Sequence, residues 1–405
     1  MRYSLLYSFL LSTVFIISYY CSHELATILY SGIIFLILLL NKKIDLKIFK
    51  HITPLLILFF MGLCIGILKG KFGVEYFLKD IYYLLKPIIC ILCGYYLMCS
   101  IKNYNTLILT TLYTSTFLSS IRLFQLFFAY LSDSIGSELY NFRIFYGSGS
   151  ILIVVGISLV HLLYKHKIKL LSNKYLFLLF IINFSAIMIS FSRTYMVCMF
   201  ISFIVIGEYY KVLKLKNIIY LIYLLLSAVV FLLVNTYLFE STIFQEKIAK
   251  TFDELLVNRY NDIVTINTLW RGYESFIGVQ DFLSSSFFNK IFGNGYGHEI
   301  DLKLNMPLGD SQYRFISYTH NGYVYVLIKH GLLGICLYLY WFYSIMKKSF
   351  LVINSNVNID LLKSLSIQLI IVTFVITGIF NKDILLPYLL LLGASLYFKN
   401  YESKI

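Results

Sequence analysis

Residues 317–341 read Ser-Tyr-Thr-His-Asn-Gly-Tyr-Val-Tyr-Val-Leu-Ile-Lys-His-Gly-Leu-Leu-Gly-Ile-Cys-Leu-Tyr-Leu-Tyr-Trp. A polar turn carrying His320 and Asn321 opens directly into an apolar run. The run is long enough for a membrane helix, since about 20 apolar residues cross a bilayer core. Thr319 is placed to cap that helix, because its hydroxyl can accept from a free N–H of the first turn. His320 then sits at the positive end of a helix at a membrane surface. That position disfavours imidazolium and leaves a neutral ring that can accept a proton. The plainer reading is an interfacial histidine that anchors a helix end.

Composition places this stretch in a larger pattern. The 405 residues are 59% hydrophobic, 18% aromatic and only 13% charged, with mean hydropathy +0.79. A soluble domain cannot hide that much apolar surface, so a polytopic membrane protein is expected. In lipid only helices and closed barrels satisfy the backbone. The apolar segments are continuous rather than alternating, which selects an all-α fold. The net charge of +14 does not indicate nucleic acid, because the lysines lie in short loops between apolar runs, where they report orientation. The first run follows Arg2 without a small-residue cleavage site and reads as a retained helix.

About twelve spans are expected, at 4–20, 25–40, 52–68, 81–99, 106–131, 149–164, 175–190, 194–210, 218–238, 320–345, 365–379 and 384–398. Several are short, and polar ends are expected to extend them. With the N-terminus inside, the cytoplasmic loops gather most of the lysines, including Lys165, Lys167, Lys169 and Lys174, so both termini are expected to be cytoplasmic. The division is therefore spans one to nine in 1–238, a large outer loop in 239–319 and spans ten to twelve in 320–405. The loop is acidic on balance. Residues 243–257 and 268–283 have helical apolar periodicity, the second with Tyr273 and Ile277 on one side and Arg271, Glu274 and Ser275 elsewhere. Gly293-Asn294-Gly295-Tyr296-Gly297 then forces a break. A loop of this length is usually functional.

Ser192-Arg193-Thr194 joins the seventh and eighth spans on the outer face. An arginine at a helix N-terminus binds anions together with free backbone N–H groups, although snorkelling is the plainer account. Arg271 and Arg314 are further candidate cations in the loop, and Arg259 is a weaker one. Glu274 lies three residues from Arg271, at the spacing of a surface ion pair. Lys86 and Arg122 fall inside spans, where ionisable groups default to functional candidates. Arg143 lies in the other polar outer loop. No metal is expected: His298, Glu299 and Asp301 are grouped, but in no recognised motif. The seven cysteines form neither a disulfide framework nor a zinc site; Cys90 and Cys93, inside a span, read as packing. Gly147-Ser148-Gly149 follows no strand and is not a nucleophile elbow.

Together Ser192-Arg193-Thr194, Arg271, Phe292-Gly293-Asn294-Gly295-Tyr296-Gly297, His320-Asn321 and Gly331-Leu332-Leu333-Gly334 resemble the O-antigen polymerase (Wzy-like) and O-antigen ligase superfamily of bacterial envelope glycosyltransferases. The resemblance covers roughly 175–345; the first half matches only as a set of spans. It implies an inner-membrane enzyme without a cofactor. The implied donor is a glycan on undecaprenyl pyrophosphate, and a chain-length regulator is an implied partner. Transfer would be metal-independent and directed to a sugar hydroxyl at the outer leaflet. Arginines and helix N-termini can neutralise a leaving pyrophosphate, and a sugar hydroxyl needs a base. Arg193, Arg271 and Arg314 are accordingly expected on the pyrophosphate, His320 as base, and Asn321 orienting the histidine or the acceptor. Members of the family often carry an acid where Lys329 stands. A repeat-unit polymerase for O-antigen or capsule is the first reading, a ligase acting on lipid A–core the second. A transporter is the third, which the position of the long outer loop disfavours.

Overall fold

The computed structural model describes residues 2–41, 44–70, 73–132, 139–147, 149–207, 263–308, 311–351, 356–380 and 385–401. The expected span at 218–238, the amphipathic stretch 243–257 and Arg259 lie outside the described residues. Elsewhere each expected run is helical over most of its length, and the chain is mostly helix. Among the described residues six stretches are long and apolar enough to cross a membrane: His23–Leu40, Leu46–Lys69, Val74–Ile101, Tyr104–Leu131, Gly322–Lys347 and Val357–Val375. Four further apolar helices have 10–17 residues, below the roughly 20 that a straight crossing needs.

The described residues group into two compact units, each discontinuous in sequence. The described residues of the first lie within 1–21, 101–249 and 354–368. It contains α1 (Arg2–Tyr20), α5 (Tyr104–Leu131), α6 (Leu139–Tyr146), α7 (Leu152–Lys165), α8 (Asn173–Ile189), α9 (Arg193–Gly207) and the beginning of α14 (Val357–Val375). In lipid the hydrophobic effect does not favour one helix contact over another, so small residues and internal hydrogen bonds set the packing. Gly156 of α7 faces Ser115 and Asn183, too close for a Cβ. Buried Asn183 donates to Thr116 Oγ1 at 2.9 Å and to the Leu179 carbonyl at 2.8 Å, while its Oδ1 accepts from Ser119 Oγ at 2.9 Å. Asp360, buried, takes Lys165 at 2.6 Å and His166 at 3.0 Å, so part of the lysine-rich loop after α7 is anchored on α14. Arg122 donates to the Tyr146 and Gly147 carbonyls and lies over the Phe142 ring. Arg143 donates to the carbonyl of Phe191. Both arginines thereby satisfy chain ends between helices.

The described residues of the second unit lie within 22–100, 250–353 and 369–405. It holds α2 (His23–Asn41), α3 (Phe49–Lys69), α4 (Val74–Ile101), α10 (Ile263–Thr268), α11 (Trp270–Ser284), α12 (Phe287–Phe292), α13 (Gly322–Leu351), the end of α14, and α15 (Leu386–Tyr401). Gly94 of α4 and Gly393 of α15 each press against the other helix, at the Leu390 and Ile91 carbonyls, where a Cβ would clash. The all-α expectation needs one correction. Strands β1 (Ile300–Leu308) and β2 (Ser311–Ile316) form an antiparallel hairpin, with an irregularity between Asp301 and Met306. Its inner residues Ile300, Leu302 and Met306 pack with Tyr273 and Ile277 of α11 and with Val324 and Ile328 of α13. Tyr273 also donates to the Leu302 carbonyl at 2.6 Å.

Gly331 breaks α13 with φ 66° and ψ −164°, a conformation open to glycine almost alone. The break would leave carbonyls of the preceding turn without helical partners. The glycine-rich loop supplies them: Asn294 N–H bonds the Ile328 carbonyl at 2.8 Å and Gly295 N–H the Lys329 carbonyl at 3.0 Å. Gly293, Gly295 and Gly297 all take positive φ to make that approach. Lys329 fixes the same loop from the side. Its ammonium meets Asp80 of α4 at 2.5 Å and the His298 carbonyl at 2.7 Å. Asp80 also accepts from Gly297 N–H at 2.8 Å and Tyr325 Oη at 3.1 Å. Lysine therefore stands at 329 as the partner of a buried aspartate.

Candidate active site

Trp270 and Glu274 lie one turn apart on α11 and share a face. Opposite them the chain leaves β2 and runs through Ser317 to His320 before α13 begins. Here the expected cap is corrected. Asn321, not Thr319, caps α13: its Oδ1 accepts from Tyr323 N–H at 3.0 Å and Val324 N–H at 3.3 Å. Thr319 is turned inward, donating to the Asn321 carbonyl at 2.8 Å and accepting at its own carbonyl from Thr377 at 3.1 Å. His320 is thus held from both neighbours. Asn321, expected to orient the histidine or the acceptor, is buried and uses its Oδ1 to cap the backbone next to His320.

One oxygen of Glu274 accepts from His320 twice, from the backbone N–H at 3.0 Å and at Nδ1 at 2.7 Å. A carboxylate only accepts, so Nδ1 carries a proton and Nε2 is the nitrogen through which the ring can exchange one. Nε2 has no partner among the described residues. The Glu274 side chain is 3% exposed and that of His320 36%, so the acid is sealed and the imidazole reaches the surface. Local spacing pairs Glu274 with Arg271. The glutamate is instead the orienting partner of the histidine, and α11 buries Glu274 and Ser275 while leaving Leu283 exposed.

The dyad opens on a cavity of about 420 Å³. Glu75, Tyr76 and Lys79 of α4 form one side, Trp270 and Glu274 another, and Tyr313, Phe315 and residues 316–318 the third, ending at His320. Burial, reinforced by the Glu274 carboxylate, holds the Tyr318 phenol above its ordinary range, so it is a neutral donor. The α4 wall lies outside the apolar run expected at 81–99. The helix starts at Val74, and Asp80, tied to Lys329 and Tyr325, fixes the register in which Lys79 meets the cavity.

The expected arginines separate. Arg314 lies on β2, exposed, with Nε 3.1 Å and Nη2 3.3 Å from the two oxygens of Asp301, and is not among the residues lining the cavity. Its guanidinium is the main reason the Asp301 carboxyl lies well below the usual range. Arg271 is half-buried on α11, next to Trp270, but is not among the lining residues. Arg193 opens α9 in the first unit, whereas His320 and Glu274 belong to the second. His298 pairs with Asp281 at 2.7 Å and Asp301 with Arg314, so these two members of the group hold different partners. A second cavity, about 320 Å³ between α7, α8 and α9, is lined mostly by aromatic and aliphatic residues with His161 and has no comparable dyad. Compared with known protein families, with curated proteins and with solved structures, the chain finds no match in any of the three.

Proposed function

We propose that this protein is a membrane glycosyltransferase that polymerises lipid-linked oligosaccharide repeat units. The observation that carries the proposal is a histidine oriented by a buried glutamate, with its second nitrogen available at an aromatic cavity. In this reading an acceptor sugar hydroxyl attacks the anomeric carbon of a glycan on undecaprenyl pyrophosphate. The new C–O bond forms as the bond to the phosphate oxygen breaks, and the pyrophosphate leaves with the electron pair. His320 Nε2 takes the hydroxyl proton, and Glu274 stabilises the imidazolium that results. Arg193 and Arg271 are assigned to the departing pyrophosphate by their chemistry; Arg314 is released from that role. The work is placed at the outer face of the inner membrane of a bacterium, with twelve spans and both termini cytoplasmic.

The test is reconstitution without added metal. Purified protein in nanodiscs receives the lipid-linked repeat unit, alone or with a lipid A–core acceptor, and the products are run on a gel. A ladder from the repeat unit alone is expected. Product only when core is present would make the protein a ligase, which the same dyad would serve. No product from a verified donor in either tube would overturn the enzymatic reading.

A further inference from the structure

The charge around the cavity does not suit the donor's leaving group. Two carboxylates, Glu75 and Glu274, face one ammonium, Lys79, beside His320. A pyrophosphate brings further negative charge, and neither Arg271 nor Arg314 lines the space. A polyhydroxylated, uncharged molecule has no such conflict, because carboxylates accept from its hydroxyls and an ammonium donates to its oxygens.

Two further observations point the same way. Glu75 and Lys79 are one helical turn apart, the spacing at which such residues ordinarily pair. Yet neither makes an ion pair or hydrogen bond to any described residue; Lys79 lies 5.8 Å from the centre of the Tyr318 ring. Their hydrogen-bonding capacity is available to a ligand. The other walls are aromatic: Trp270, Tyr313, Phe315 and Tyr318. Such faces suit the C–H side of a sugar ring, and the volume is in the range that holds a small ligand.

We infer that this cavity is the acceptor subsite, taking the terminal, uncharged sugar of the glycan to be extended, and that Glu75 and Lys79 select it through its hydroxyls. The inference rests on the glycosyltransferase reading. It separates the two substrates: the acceptor sugar lies against His320, and the donor's pyrophosphate is held outside this cavity.

The chain has two tryptophans. Trp341 is fully buried and Trp270 lines the cavity, so a Trp341→Phe protein reports the site by fluorescence. The probe is a repeat-unit oligosaccharide, free of lipid and phosphate, released by mild hydrolysis from the producing cells' own surface polysaccharide. Farnesyl pyrophosphate is the second probe. If Trp341→Phe does not fold, the same titrations are read by calorimetry on the native chain. The oligosaccharide is expected to bind saturably. Affinity should fall about tenfold or more in Glu75→Gln and in Lys79→Met, each removing a hydrogen bond from a charged group. His320→Ala should keep binding while losing turnover, and farnesyl pyrophosphate should not compete. No saturable binding of the oligosaccharide, competition by farnesyl pyrophosphate, or affinity unchanged in both α4 variants would overturn the inference. Binding that depends on Glu75 and Lys79, with no ladder in reconstitution, would uphold the sugar site and defeat the polymerase. A ladder with no such dependence would do the reverse.

Discussion

Two acid–base pairs in the second unit have nearly the same length and opposite character. Asp80 and Lys329 meet at 2.5 Å with both side chains fully buried. Glu274 and His320 meet at 2.7 Å with the acid buried and the base partly exposed. Around the first pair every group is engaged: a backbone N–H and a phenol on the acid, a carbonyl on the ammonium. Around the second, one ring nitrogen has no partner among the described residues. A buried pair of the first kind adds little net stability over an apolar one, yet removing one partner strands a charge. Its use is to fix where the glycine-rich loop, α4 and α13 meet. The second pair has a sealed side that orients and an open side that can react. The difference between scaffold and chemistry is one unengaged nitrogen.

Breaking the open pair should have the largest effect on activity. His320→Ala is expected to lower chain extension by about 10²–10⁴, the usual worth of a general base, with protein level unchanged. A normal glycan length distribution would remove His320 from the chemistry. Breaking the sealed pair should act on stability instead. Asp80→Ala or Lys329→Ala should each lose about 3–5 kcal/mol, read as early thermal unfolding in detergent. Asp80→Leu combined with Lys329→Met should recover most of that loss. If the double variant is no better than the singles, burial of an unpaired charge is not the cause.

Glu274→Gln sharpens the contrast. The amide keeps the shape of the side chain but can offer its N–H to Nδ1, stabilising the wrong tautomer. A fall in kcat of about 10² or more, with KM and melting temperature little changed, is expected by the logic of catalytic triads. A KM effect alone would recast Glu274 as a binding group. Gly331→Ala should cost about 1–3 kcal/mol through backbone strain, since a Cβ there would also meet the Ile291 carbonyl. Wild-type stability would mean that the helix can straighten. The smallest effect is expected at Arg314→Ala, because exposed ion pairs contribute little; activity should stay within about twofold. The Asp301 carboxyl is depressed, so this pair should hold above the ordinary aspartate pKa and fail only as pH falls through the lower folded value. Activity that collapses in Arg314→Ala near neutral pH would return that arginine to the donor site.

The helices were legible because continuous apolar runs admit few alternatives in lipid. His320 and the glycine-rich break were legible because polar turns next to such runs stand out. The hairpin was also written in the chain, since Ile300, Leu302, Leu304 and Met306 alternate with polar residues through Asn305, a period of two. Its surroundings read as helix and mask that short alternation. The partners of the key residues were not legible. Glu274 and His320 are 46 positions apart, and Asp80 and Lys329 are 249 apart. Local spacing offered nearer answers, Arg271 for the glutamate and Thr319 for the cap. Tertiary contacts overruled both.

The broken helix has a consequence for how the chain is made. Until the glycine-rich loop docks, the carbonyls of Ile328 and Lys329 and the ammonium of Lys329 would enter lipid without partners, a costly state. The loop precedes this helix in synthesis, and Asp80 emerges far earlier. Stable insertion of Gly322–Leu351 therefore waits on an assembled glycine-rich loop and an aspartate already in place. Biogenesis of this span is conditional: the helix becomes a settled membrane crossing only as the architecture around it closes.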